Sequence, residues 1–99
     1  MIAIQPRFKM GQVVATPGAL AAMNDNHISA WSLLSRHVAG DYGSVDEHDR
    51  QANEQALKDG SRIFSAYVLP DQSKLWVITT AADERGNRES TCVLTPEEY

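Results

Sequence analysis

The residues after Gly60 follow a different rhythm from those before it, and that change decides the fold class. SRIFSAYVL, KLWVITT and RESTCVL are rich in β-branched and aromatic residues and are separated by PDQS and DERGN. Runs of this kind bounded by turn residues predict three strands of an antiparallel meander. With PDQS as a four-residue hairpin loop, Leu69 faces Lys74, which pairs Tyr67 with Trp76, Ser65 with Ile78 and Phe64 with Thr79. Both faces of the sheet are then apolar. One carries Ile63, Tyr67, Leu69, Trp76, Ile78, Cys92 and Leu94, the other Phe64, Ala66, Val68, Leu75, Val77 and Val93.

Before Gly60 the signals are helical. Thr16 followed by Pro17 is an N-cap and first-turn pairing, so a short helix is expected from about Pro17 to Met23, broken by Asn24, Asp25 and Asn26. Ile28, Trp31, Leu34 and Val38 recur at spacings of three, three and four and place Trp31 in the core stripe of a second helix that stops at Gly40. Ser44 and Glu47 match a capping box, which predicts a third helix from about Val45 to Asp59 with Lys58 and Gly60 as stop signals. Its apolar stripe is thin, so it is largely exposed.

These elements make one α+β domain over residues 1–99: two or three N-terminal helices packed on a C-terminal three-stranded antiparallel β-meander. Three short helices cover one sheet face comfortably, and the alternative that the single chain covers both stays open beside the expectation that they do not. Part of the other face is therefore expected to be closed by the segment around Phe8 and Met10, or by another chain, including a second copy.

Nine Lys and Arg against 13 Asp and Glu give a net charge of −4, with no basic stripe, which speaks against a nucleic-acid partner. A single cysteine, Cys92, excludes an internal disulfide and reads as a small buried hydrophobe, consistent with a cytoplasmic setting. MIAIQPRFKMGQVV contains no long apolar run, so no leader or membrane association is expected. No phosphate loop, dinucleotide fingerprint or zinc motif occurs, and no cofactor or metal is expected.

The densest chemistry lies in RHVAGDYGSVDEHDR, Arg36 to Arg50. His37, Asp41 and His48 are the raw material for acid–base work, and Arg36, Arg50 and Arg62 can hold a phosphate. Together they define one candidate, a small metal-independent ribonuclease or toxin with His37 and His48 as acid and base. The same residues also make a helix stop, a turn and a helix start: His37 at the negative end of a helix dipole, Asp41 bonding its own backbone, arginines paired with local acids. For binding, Trp76 and Tyr67 as a cross-strand aromatic pair are the strongest anchors, with Tyr42, Glu47 and Arg50 beside them.

GQVVATPGAL, LLSRHVAGDYGSVDEHDRQANEQALKDGSRIFSAYVL, KLWVIT and VLTPEEY together resemble a family of small bacterial proteins carried on plasmids, phages and other mobile elements, labelled plasmid-related or hypothetical. The block of His37, Gly40, Asp41, Gly43, Asp46 and Glu47 carries the likeness. Tyr42 stands where members of that family carry tryptophan, and ADERGNREST is longer than the tight turn usual there. The resemblance implies no reaction. It implies a noncatalytic accessory role, such as inhibiting a host defence complex of the CRISPR or restriction type by binding one of its proteins.

Overall fold

A computed structural model describes residues 6–99. In chain order the elements are β1 (Gln12–Ala15), α1 (Pro17–Asp25), α2 (Ala30–Val38), α3 (Glu47–Asp59), β2 (Ile63–Val68), β3 (Lys74–Thr79), β4 (Ser90–Leu94) and a 3-10 turn, Pro96–Glu98. The class is α+β, with three helices and a four-stranded mixed sheet. The expected absence of a leader falls partly on residues 1–5, outside the described residues. Among the described residues no helix is long and apolar enough to cross a membrane.

The helix starts follow local chemistry. Thr16 Oγ1 accepts from Ala19 N at 3.2 Å, Ser29 Oγ from Ser32 N at 3.2 Å, and Asp46 Oδ1 from Asp49 N at 2.8 Å. Each supplies an acceptor to an otherwise unpaired N–H of the first turn. Gly60, at φ +81°, ends α3 in the left-handed conformation, donating to Ala56 O.

Four corrections to the sequence reading concern the secondary-structure elements themselves. First, the sheet gains a strand: β1 pairs parallel to β4, Gln12 opposite Ser90, giving the order β1-β4-β3-β2 in place of a three-stranded meander. Second, the hairpin loop is one residue longer. Val68 pairs with Lys74, and Leu69–Ser73 turn with Leu69 N donating to Ser73 O. A one-residue slip reverses the facing of β2 against β3, so Tyr67 lies opposite Leu75, and Trp76 opposite Ala66. Third, α3 starts at Glu47 with Asp46 as its cap. Ser44 is drawn away to the sheet edge, where its N–H donates to Ala66 O at 2.7 Å. Fourth, Trp31 is 56% exposed, and the inner face of α2 is Leu33, Leu34, His37 and Val38. The helix turns by about one position because it buries a histidine.

One sheet face is fully covered. Ile63, Ser65, Tyr67, Leu75, Val77, Thr79, Thr91 and Val93 are all buried on it. Ala19 and Met23 of α1 and Leu33 and Leu34 of α2 join Tyr67, Leu75, Val77 and Val93 in the main core. Ala56 of α3 packs with Ile63 and Tyr42 in a smaller one. Phe8 and Met10, expected on the second face, pack instead on this side, Phe8 in the smaller cluster and Met10 against the main one. The second face carries Phe64, Ala66, Val68, Trp76, Ile78, Cys92 and Leu94, of which Ala66 and Leu94 are buried and Phe64, Trp76, Ile78 and Cys92 half-buried. The core residues of α1, α2 and α3 lie on the other side, while the 3-10 turn lies against β3 and Tyr99 packs on Trp76.

Candidate functional site

His37 has no exposed surface. Its Nδ1 lies 2.6 Å from Ser65 Oγ and its Nε2 lies 2.8 Å from Thr79 Oγ1, which is 2.7 Å from Thr91 Oγ1. Thr91 in turn donates to Met10 O at 2.8 Å. A carbonyl only accepts, and each hydroxyl has one proton, so the directions are settled from that end. Thr91 receives from Thr79, Thr79 receives from the Nε2 proton of His37, and Nδ1 receives from Ser65. The ring is the neutral Nε2–H tautomer. Burial, and then the nearby Arg88 guanidinium, push its pKa down to about 4.

The other histidine of the candidate pair is not brought to it. His48 is on the outer side of α3, its side chain 92% exposed, with Nδ1 3.7 Å from Asp49 Oδ1. Asp46, His48 and Asp49 hold ligand-type atoms within 4.8 Å of one another, but the Asp46 carboxylate already caps the helix. Asp41 faces Arg36, Nε to Oδ2 at 2.7 Å, and accepts from Gly43 N at 3.2 Å, so it serves the turn. The Arg36 hydrogen bond holds the Asp41 carboxyl below its usual range.

The three candidate phosphate ligands are dispersed and engaged. Arg36 lies over the Tyr67 ring, 4.5 Å from its centre. Arg50 Nε donates to Glu47 Oε2 at 2.7 Å, and Arg62 sits over the Phe64 ring at 5.7 Å. RHVAGDYGSVDEHDR is thus a helix end, an Asx turn and a capped helix start.

Of the binding candidates, two are interior. Tyr67 is 1% exposed and its hydroxyl donates to Asp41 O at 2.6 Å, while buried Tyr42 donates to Glu54 Oε2 at 3.3 Å. Burial raises both phenol pKa values, that of Tyr67 to about 12. Glu47 and Arg50 are at the surface, paired with each other. Trp76 alone of the aromatic pair faces the open side. There it meets Phe64 edge to face at 5.1 Å and Tyr99 at 5.5 Å. The three rings, with Ile78, Arg62 and Asp49, line a shallow hollow of about 270 Å³. Cys92 is on the same face, half-buried, its thiol pKa raised by burial and by Glu98.

Sequence reasoning missed Phe64 and Tyr99 as members of this row, because the one-residue register slip hid the first and a terminal residue carries no periodicity. It also missed Arg88, a buried cation whose guanidinium donates to Ser61 O, Thr80 O and Ala56 O at 2.6, 3.0 and 3.1 Å. Arg88 thus ties the last turn of α3 at Ala56 to the link before β2 at Ser61 and to Thr80 just past the end of β3, and is pushed down in pKa by burial. In comparisons with family models, curated proteins and solved structures, nothing matches the chain.

Proposed function

We propose that this chain acts by binding another protein, and that its docking surface is the open sheet face centred on Trp76, with Phe64, Ile78 and Tyr99 around it. The observation that carries this reading is the inequality of the two sheet faces. All three helices contribute to the cores on one side, while the other keeps an interlocked aromatic row in which Phe64 and Trp76 are half-buried and Tyr99 is exposed. Rigid aromatic side chains bury large area with little loss of rotamer freedom, which is what an interface anchor requires. The exposed side of α3, with Glu47 and Arg50, is the neighbouring polar surface. The likeness to mobile-element proteins supplies the partner class, a cytoplasmic host defence complex, and the role, its inhibition.

The test is a transformation assay in cells with an active CRISPR or restriction system, scored with and without this chain. Protection by the wild type, lost on Trp76→Ala or Phe64→Ala with thermal stability retained, supports the reading. Equal protection by both variants, or none by the wild type against any system tried, ends it.

A further inference from the structure

The two edges of the sheet are treated unequally. An exposed edge strand presents unpaired N–H and C=O groups, and proteins blunt such edges with charge, proline, bulges or covering segments. At the β2 edge the outward-turned backbone is covered at Phe64 and Ala66, leaving only Val68 at the strand end without such a cover among the described residues. The Asn53 amide donates to Phe64 O at 2.6 Å and accepts from Phe64 N at 3.0 Å, while Ala66 N donates to Tyr42 O at 3.1 Å and Ser44 N to Ala66 O at 2.7 Å.

At the β1 edge nothing of the kind is present among the described residues. Gln12 N donates to Glu89 O and Thr16 N to Val93 O, both at 3.0 Å. Alternation along a strand then turns the N–H and C=O groups of Val13 and Ala15 away from β4. Among the described residues nothing pairs with them. QVVA contains no charge and no proline, and Val13 and Val14, 43% and 42% exposed, point to opposite faces.

We propose that β1 joins two copies of this chain, pairing antiparallel with β1 of the second copy about a two-fold axis perpendicular to the sheet, so that two four-stranded sheets continue as one of eight strands. A two-fold interface must be complementary to itself, and an uncharged antiparallel strand is. Charge favours the same arrangement. Lys9, just before β1, makes no ion pair among the described residues. Just past the other end of β1 sits the carboxylate of Glu98, accepting from Gly18 N at 3.1 Å. Antiparallel pairing brings each Lys9 toward Glu98 of the second copy. The axis also sets both open aromatic faces on one side of the joined sheet, which doubles the docking surface. The pairing itself rests on the edge alone and stands whatever that face binds.

Light scattering and sedimentation equilibrium across a concentration series test the proposal. The wild type is expected at twice the chain mass, with the Val13 and Ala15 amides slowing in hydrogen exchange as concentration rises. Val13→Pro deletes an N–H that bonds nothing among the described residues, and Val13→Lys places a charge on the edge. Both are expected to give a folded monomer, and should proline distort the strand, the lysine variant decides. A wild type that stays monomeric at every concentration overturns the proposal. So does a dimer that survives both substitutions, or one abolished only by Trp76→Glu, which places the contact on the open face.

Discussion

The Nε2 proton of His37 is donated to Oγ1 of Thr79 across 2.8 Å, and through that contact α2 is keyed to the middle of the sheet. Ser65 and Thr91 extend the link to β2, β4 and the N-terminal segment at Met10. Among the described residues no buried side-chain nitrogen or oxygen lacks a partner, so this polar thread through the core is fully satisfied. A satisfied buried network specifies one arrangement of the elements it connects. His37→Leu is therefore expected to cost about 2–4 kcal/mol, because it leaves the Ser65 and Thr79 hydroxyls short of a partner in an apolar setting. Urea unfolding should show a lower midpoint with an unchanged slope. A change below about 0.5 kcal/mol, the range of ordinary surface substitutions, would contradict the role assigned to His37.

The same burial makes stability depend on pH with a defined sign. His37 titrates near 4 in the folded chain against an ordinary value of 6.5, so between those values the unfolded chain binds more protons. Stability is expected to be fully present above about 6.5, to fall as pH drops toward 4, and to level off for this group below that. The total over the window is about 3 kcal/mol, from a depression of about 2.5 units at 1.36 kcal/mol each. Asp41 and Glu98, whose carboxyls are held below their usual values of 3.8 and 4.5, add their own loss only at the acid end. Comparing wild type with His37→Gln isolates the histidine, since the variant should lose the slope between pH 6.5 and 5. Arg88→Met should raise the His37 pKa, because the Arg88 charge is its second cause, and so narrow the window. An identical slope in the His37→Gln protein would show that other groups set the pH response.

Burial on α2 gives a plain contrast. Trp31→Ala at the exposed position is expected to change stability by no more than about 0.5 kcal/mol, whereas Leu34→Ala should cost about 2–5 kcal/mol by opening a cavity in the main core. Thermal or urea unfolding of the two variants checks this. Comparable losses would return Trp31 to the core stripe.

That contrast also marks how far local pattern reaches. Helix existence was legible because caps and stops are local: Thr16 and Gly60 each act within a few residues, whereas the expected break after Met23 does not occur, since α1 runs on through Asn24 and Asp25 to its cap at Asn26. The three antiparallel strands were legible for the same reason, from their alternation and their turns. What local pattern does not contain is the choice between one-residue alternatives and between distant partners. The Leu69 to Ser73 loop holds one residue more than PDQS implies, and that alone moved Tyr67 into the core and put Phe64 beside Trp76. Burying His37 required hydroxyls from three strands, so a polar residue occupied the inner face of α2 against its hydropathy. The pairing of β1 with β4 joins opposite ends of the chain, and QVVA is too short to announce it.

The sealing of the β2 edge by Asn53 makes a prediction opposite in sign to that for His37. The amide meets Phe64 with one donor and one acceptor, as a neighbouring strand would. In Asn53→Asp the acceptor survives, but an ionised carboxylate replaces the donor and faces the Phe64 carbonyl in a buried position. Both the burial and the loss of a donor raise the pKa of the new carboxyl above its unfolded value, near 3.9. Its penalty is therefore absent below about that pH, where the protonated acid donates to Phe64 O again, and develops as pH rises. At neutral pH the variant is expected to lie about 2–3 kcal/mol below wild type. The gap should close toward pH 4, while Asn53→Leu keeps its deficit throughout. Denaturation midpoints of the three proteins at pH 7, 5.5 and 4 measure this directly, and a gap for Asn53→Asp that stays constant across that range would mean the amide proton does not hold the edge.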